Sequence, residues 1–320
     1  MSFLTIDDLH VSYKREDKKR AYAVQGLSIE LGRQETLGIV GETGAGKTTT
    51  ALSIMGLLPS RGRVDAGSVK LDGIELIGLN DTTMRSIRGA KMAMIFQNPM
   101  SSLNPTMTIE QQVAEGILLH TFDRESRVKV SRRVDELLTL VGIDPAMKRS
   151  YPHEFSGGMR QRVGIAIALA CDPELLIADE PTSALDVTIQ AQILALMNDL
   201  KDSREMSMLL ITHDFGIVAR MCDKVAVMYA GKIVEFGTWD DMFLKSEHHP
   251  YTEGLLDAIP NISSSERHLH PIPGAVADNT VRHKGCAFAG RCGRETNLCR
   301  TYAPDNHCWG THMINCHLFG

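Results

Sequence analysis

The sequence predicts an α/β fold, and three observations carry that expectation. A short apolar run, Leu37 to Val40, enters a glycine-rich turn and then an apolar helical segment opened by Lys47, Thr48, Thr49 and Thr50. A second apolar run, Leu175 to Ala178, ends in paired carboxylates, Asp179 and Glu180. Helix-period segments alternate with strand-like runs along the main body, the pattern of a sheet covered by helices.

The first run sets the chemistry. Gly41-Glu42-Thr43-Gly44-Ala45-Gly46-Lys47-Thr48 matches G-x-x-x-x-G-K-[ST] in the strand–loop–helix context that the motif requires. Its glycines let backbone N–H groups turn inward on one anion, and the helix behind aims its positive end at the same point. Lys47 is expected to reach the β- and γ-phosphates of a nucleotide, and Thr48 to offer its hydroxyl to Mg²⁺. Asp179 suits a carboxylate that supports this Mg²⁺; Glu180, directly after it, suits a group that orients or deprotonates the attacking water. Ser156-Gly157-Gly158 opens an apolar helix, Met159 to Ala170, and makes a second anion site. Two phosphate-gripping helix starts in one chain imply that one serves a nucleotide held by another subunit.

The other elements follow in order. Leu4 to Tyr13 and Leu27 to Leu31 alternate as strands around a charged loop, and Gly67 to Leu71 reads as a hairpin arm turning at Asp72-Gly73. Met92 to Phe96 is a strand ending at Gln97. Thr108 to Leu119 and Arg124 to Val141 carry helical periodicity and form a helical insertion, about residues 98–158. Thr188 to Asp202 is helical, and Met208 to Thr212 is a strand that delivers His213. Lys224 to Tyr229 and Lys232 to Phe236 form a hairpin at Ala230-Gly231. Pro260 to Ser265 reads as a linker between a main domain, 1–258, and an extension, 259–320.

A net charge of -5 argues against a chain built to coat nucleic acid. No apolar run reaches the roughly 18 residues of a membrane span, and the N-terminus has no signal-peptide pattern. A cytoplasmic protein is expected, with any membrane work done through partners. Five of the seven cysteines crowd the last few dozen residues: Cys286, Cys292, Cys299, Cys308 and Cys316. In a reducing compartment that crowding suggests metal before disulfides. The spacings exceed those usual for structural zinc, and four thiolates in the segment 285–317 suit an Fe–S cluster. His307, His312 and His317 keep zinc as the alternative, and free thiols are the third reading.

With these residues in view, the chain resembles the ATP-binding subunits of ABC transporters over residues 1 to about 258. The resemblance implies a P-loop NTPase (ABC ATPase) domain with an antiparallel β subdomain, a helical insertion and a small Cys-rich C-terminal extension. It makes Gly41 to Thr48 the Walker A loop, with Thr49 beside it, and Gln97 a catalytic and Mg²⁺-contacting glutamine. Ser156 to Met159 becomes the signature motif, although Phe155 and Met159 stand where leucine and glutamine are common. Asp179 and Glu180 are the Walker B aspartate and the catalytic glutamate, Ser183 to Asp186 the D-loop, and His213 a γ-phosphate contact. Tyr13 falls at the adenine-stacking position.

His249-Pro250-Tyr251-Thr252 and Gly285 to Cys292 further resemble the C-terminal extension of the oligopeptide/dipeptide/nickel importer ATPases, and Thr106 after Ser101 to Pro105 fits that group. This implies a [4Fe–4S] cluster on Cys286, Cys292, Cys299 and Cys316, with Cys308 spare. It also implies a second ABC ATPase subunit as heterodimer partner, two transmembrane permease subunits, an extracytoplasmic solute-binding protein and a peripheral place on the cytoplasmic face of the membrane. The activity implied is ATP hydrolysis that powers import of a peptide-like or other small solute, with Gln97 to Asn104 and the helical insertion facing the permease. A soluble ABC-type ATPase acting on nucleic acid, the ribosome or Fe–S assembly is the alternative.

Overall fold

The computed structural model describes residues 2–16, 19–98, 102–120, 127–183, 185–258 and 272–320. The chain begins with β1 (Leu4–Lys14), β2 (Arg20–Leu31), β3 (Thr36–Val40), α1 (Lys47–Ile54), β4 (Gly62–Leu71) and β5 (Ile74–Glu75). Next come α2 (Asp81–Ile87), β6 (Met92–Ile95), α3 (Ile109–His120), α4 (Arg127–Leu140), α5 (Gly157–Ala168) and β7 (Leu175–Asp179). They are followed by α6 (Val187–Ser203), β8 (Ser207–Thr212), α7 (Phe215–Met221), β9 (Lys224–Tyr229) and β10 (Lys232–Thr238). The chain closes with α8 (Trp239–Phe243), α9 (Pro250–Asp257), α10 (Asn297–Thr301), β11 (Asn306–Trp309) and β12 (His312–Asn315). Ser101, Ala184, the linker Pro260 to Ser265 and the first three residues of the expected helix Arg124 to Val141 lie outside the described residues.

Two compact units emerge. One comprises Met1–Gly32, Thr36–Gly78 and Leu210–Gly320; the other comprises Arg33–Glu35 and Leu79–Leu209. The last strands of the chain pair into the first unit.

In the first unit, β2, β1, β4 and β5 form an antiparallel sheet in that order. Its alternation reads directly from the sequence: Leu4, Ile6, Leu9 and Val11 are buried, opposite Leu31, Ile29, Leu27 and Val24. Strand β2 begins seven residues before the expected Leu27, its first residues pairing with the end of β1. The hairpin turns at Asp72 (φ 49°) and Gly73 (φ 77°), a left-handed pair that suits a two-residue turn. The same unit holds β3, buried at every position as a parallel strand covered on both faces should be. It pairs with β9, which turns at Ala230-Gly231 into β10. Strand β12 then adds to β10 with Ile314 opposite Glu235, and β11 pairs with β12.

In the second unit β6 and β7 pair in parallel, Ile95 opposite Ala178. Helix α4 buries Val130, Val134, Leu137 and Leu138, a single stripe at helical spacing. Helix α3 packs against α4 and α5. Helix α5 starts at Gly157, two residues before the expected Met159, because Ser156 supplies the cap and frees both glycines to enter the helix.

Candidate functional site: a phosphate loop held by the chain's C-terminal segment

The loop between β3 and α1 is shaped by close backbone approach. A Cβ at Gly41 would meet the Met228 carbonyl oxygen at 2.1 Å, and one at Gly46 (φ 107°) would meet that of Ala23 at 2.2 Å. Only glycine fits at either position. Lys47, the residue expected on phosphates, is 5% exposed and folds back across the loop. Its Nζ donates to the Gly41 and Glu42 carbonyls at 2.6 and 3.1 Å. Thr43, Gly44 and Thr48 are exposed, Ala45 is buried, and Gly46 caps α1 in the left-handed conformation. Tyr13 is brought to the loop: its hydroxyl lies 3.2 Å from Thr49 Oγ1.

In the second unit β7 is buried throughout, with Asp179 2% exposed at its end. Glu180, immediately after, takes φ 46°. A glutamate in that region is uncommon, and such strain is retained where the surroundings over-determine it. Gln97 Nε2 donates to Glu180 Oε2 at 2.9 Å, which leaves the glutamine oxygen for another ligand. Ser183 folds back on the Glu180 carbonyl, and Asp186 caps α6. Ser156 accepts from Met159 N as the cap of α5, and Phe155 is buried. A Cβ on Gly158 would meet Ile189 Cγ2 at 2.6 Å, so this glycine is needed for packing as well as for an open amide. His213 is exposed at the end of β8.

The cysteine-rich segment gathers four thiols. Burial pushes the Cys286 thiol up to about 11, and Cys316, Cys299 and Cys292 all lie close enough to add to that rise. Cys316 is raised by burial and, in turn, by Cys292 and Cys299. Cys286 N also donates to the Cys299 carbonyl at 2.8 Å. Cys308 stands exposed on β11, opposite Met313. Two of the candidate histidines are engaged elsewhere: His312 Nε2 with Glu235 at 2.8 Å and His317 Nε2 with the Tyr302 carbonyl at 3.0 Å. His307 packs near Trp309, and the thiols that act on Cys286 are those of Cys316, Cys299 and Cys292. Among the described residues no three of these sulfurs fall within 4.8 Å of one another.

Glu42, expected in the nucleotide loop, is tied to the C-terminal segment. Its carboxylate receives Arg291 in a fork, Nη1 to Oε2 at 2.6 Å and Nη2 to Oε1 at 3.0 Å, and its backbone N–H donates to Tyr251 Oη at 2.8 Å. The motif leaves that position free, so phosphate chemistry does not dictate its side chain. Arg291 and the buried Glu235–His248–His312 set escaped the sequence because each joins distant segments. The only signal was the place of Arg291 beside Cys292.

A strand–loop–helix phosphate site, a buried carboxylate strand and a serine-capped glycine helix on this fold define an ABC-type ATPase. The ABC transporter family model matches residues 24–183, and the model for the oligopeptide/dipeptide transporter C-terminal region matches 234–299. The chain belongs to that family and is an ATPase of it. It is 46% identical over 319 residues to the dipeptide transport ATP-binding protein DppD of Bacillus subtilis (strain 168), covering 98% of this chain and 94% of the relative. It is 49% identical over 292 residues to the oligopeptide transport ATP-binding protein OppD of the same organism, covering 90% and 80%. Among solved structures it is similar to the dimeric post-hydrolysis state of the ATP-binding cassette MJ0796 bound to ADP and Pi. That match has a TM-score of 0.67 and 25% identity, and covers 74% of this chain and 98% of that one.

Proposed function

We propose that this chain is the ATPase subunit of a peptide importer, working at the cytoplasmic face of the membrane with a second ABC ATPase, two permease subunits and an extracytoplasmic binding protein. The family membership and the solutes that the relatives are named for, dipeptides and oligopeptides, support the solute class. No helix among the described residues is long and apolar enough to cross a membrane, so the transport path belongs to partners.

The observation that carries the mechanism is Glu180, held at φ 46° directly after buried Asp179 and hydrogen-bonded to Gln97. Lys47 exchanges the loop carbonyls of Gly41 and Glu42 for the β- and γ-phosphates. The Thr48 hydroxyl, the Gln97 oxygen and the Asp179 carboxylate are hard oxygen donors that suit Mg²⁺, which neutralises charge on those phosphates when bound. Glu180 orients the attacking water in line, His213 contacts the γ-phosphate, and Tyr13 stacks on the base. Ser156, Gly157 and Gly158 serve the nucleotide of the partner ATPase, because their helix start has no second use within the chain. Catalysis here is positioning and charge stabilisation.

For the four thiols a [4Fe–4S] cluster is the fitting occupant. Four thiolates suit a multi-iron cluster, and the gaps along the chain between Cys286, Cys292 and Cys299 exceed those usual for a structural zinc ion. The test of the whole reading is peptide uptake by cells carrying Glu180→Gln. Uptake lost while ATP binding persists supports it, and normal uptake with normal hydrolysis sinks it.

A further inference from the structure

We propose that Arg291 is a positioning residue for the phosphate loop: it neutralises Glu42 beside the nucleotide and makes ATP affinity depend on the assembled cysteine-rich segment. The proposal rests on the reading of residues 41–48 as the nucleotide site.

A carboxylate at the first variable position of a phosphate loop stands next to a polyanion. Uncompensated, it repels the ligand that the loop exists to hold. Arg291 compensates it through the two-pronged contact already described, and its side chain is only 6% exposed. The guanidinium is held from every side. Nε donates to the Pro273 carbonyl at 2.8 Å, and Nη2 also reaches the Ile272 carbonyl at 3.3 Å. Nη1 lies 3.4 Å from the Tyr229 hydroxyl. The group sits 5.7 Å from the Tyr229 ring centre and 5.8 Å from that of Phe288. So fixed, it has no freedom to turn toward solvent when the loop moves.

The neighbours make the coupling mechanical as well as electrostatic. Phe288 packs edge-on to Tyr229 at 5.2 Å and against Tyr251 at 5.4 Å. Tyr251 in turn receives the Glu42 amide. Two segments, α9 and the residue next to Cys292, thus converge on one loop residue, with Tyr229 of β9 packed behind both. The Glu42 carbonyl is one of the two that hold Lys47. A displacement of Arg291 therefore reaches the phosphate-binding lysine through a single residue. Cys292, one of the four gathered thiols, is covalently next to Arg291.

The test is ATP titration of the full chain with a fluorescent nucleotide, using wild type, Arg291→Lys, Arg291→Ala and Glu42→Gln/Arg291→Ala. Arg291→Ala should weaken ATP binding about tenfold, a coupling of ordinary size. Arg291→Lys keeps the charge, loses the fork and should fall between. The double variant should recover most of the affinity, since the repelling carboxylate is gone; a purely structural arginine gives no such rescue. The defect should appear in KM with kcat held, and should shrink in high salt. By reciprocity ATP should slow proteolysis of residues 272–320 in wild type and not in Arg291→Ala. Arg291→Ala affinity within twofold of wild type, or no rescue in the double variant, overturns the proposal. Failure of wild type itself to bind ATP would sink the nucleotide reading instead.

Discussion

His248 Nδ1 lies 2.7 Å from Glu235 Oε1 while its Nε2 lies 3.0 Å from the Lys245 carbonyl, so both nitrogens of this ring face oxygens, an arrangement that favours the protonated ring. Glu235 is fully buried and also takes His312 Nε2 on the same oxygen and the His249 amide on the other. One carboxylate thereby joins β10, the entry to α9 and β12.

That set predicts a pH dependence. Burial raises the Glu235 carboxyl, but hydrogen bonds from His248 and His312 overcome it and hold it down at about 2. Its contribution is present above about 4.5 and is lost as pH falls toward 2. Burial lowers His248, but the hydrogen bond and charge of Glu235, with Glu253 nearby, raise it above the usual value. Its contribution is complete below about 6.5 and is lost as pH rises through the raised value. His249, which burial pushes down to about 4, acts only below about 6.5, where the unfolded chain takes up a proton that the folded one refuses. Between about pH 6.5 and 8 His248 acts alone within this set, whereas the raised thiols Cys286 and Cys316 act above that range. Denaturant melts should show stability falling from about pH 6.5 to 8 in wild type and flat over that window in His248→Gln, which should cost about 2 kcal/mol at pH 6. An unchanged alkaline slope in the variant refutes the assignment.

Glu180→Gln should keep ATP affinity within about threefold and cut turnover at least a hundredfold, the scale of a lost general base. Gln97→Ala removes the donor to Glu180 and should lower kcat with a smaller change in KM. Single-turnover hydrolysis separates the two effects, and wild-type turnover in Glu180→Gln would remove the role given to it.

Ser156→Arg places a bulky cation at the cap of α5. Nucleotide binding by the isolated chain should be nearly unchanged, whereas ATP-driven association with the partner ATPase should disappear in size-exclusion runs. If the isolated chain loses ATP binding, both helix starts serve one ligand and the composite-site reading fails.

Protein purified without oxygen should be brown and contain about four irons and four sulfides per chain. Cys292→Ser should bleach it and expose residues 272–320 to protease, while Cys308→Ser, on the exposed face of β11, should keep the colour. Colourless protein with one zinc per chain would replace the cluster by zinc.

The sequence by itself determined the family, the ATPase class and most of the element order. Phosphate binding is a local problem: glycines, a lysine and a threonine at fixed spacing suffice, and the strand before them and helix after them are written in adjacent residues. The same holds for the carboxylates after Leu175–Ala178 and for the cap at Ser156, where chemistry and structure fall within one turn of chain. Tertiary structure alone decided what holds these pieces. Arg291 meets Glu42 across 249 positions, His312 meets Glu235 across 77, and β12 joins β10 although the extension reads as a separate segment. An arginine's partner is set by the path of the chain between them, since any carboxylate satisfies it equally well in sequence. Likewise the left-handed backbone of Glu180 has no glycine to announce it; the buried strand before it and the Gln97 hydrogen bond impose it.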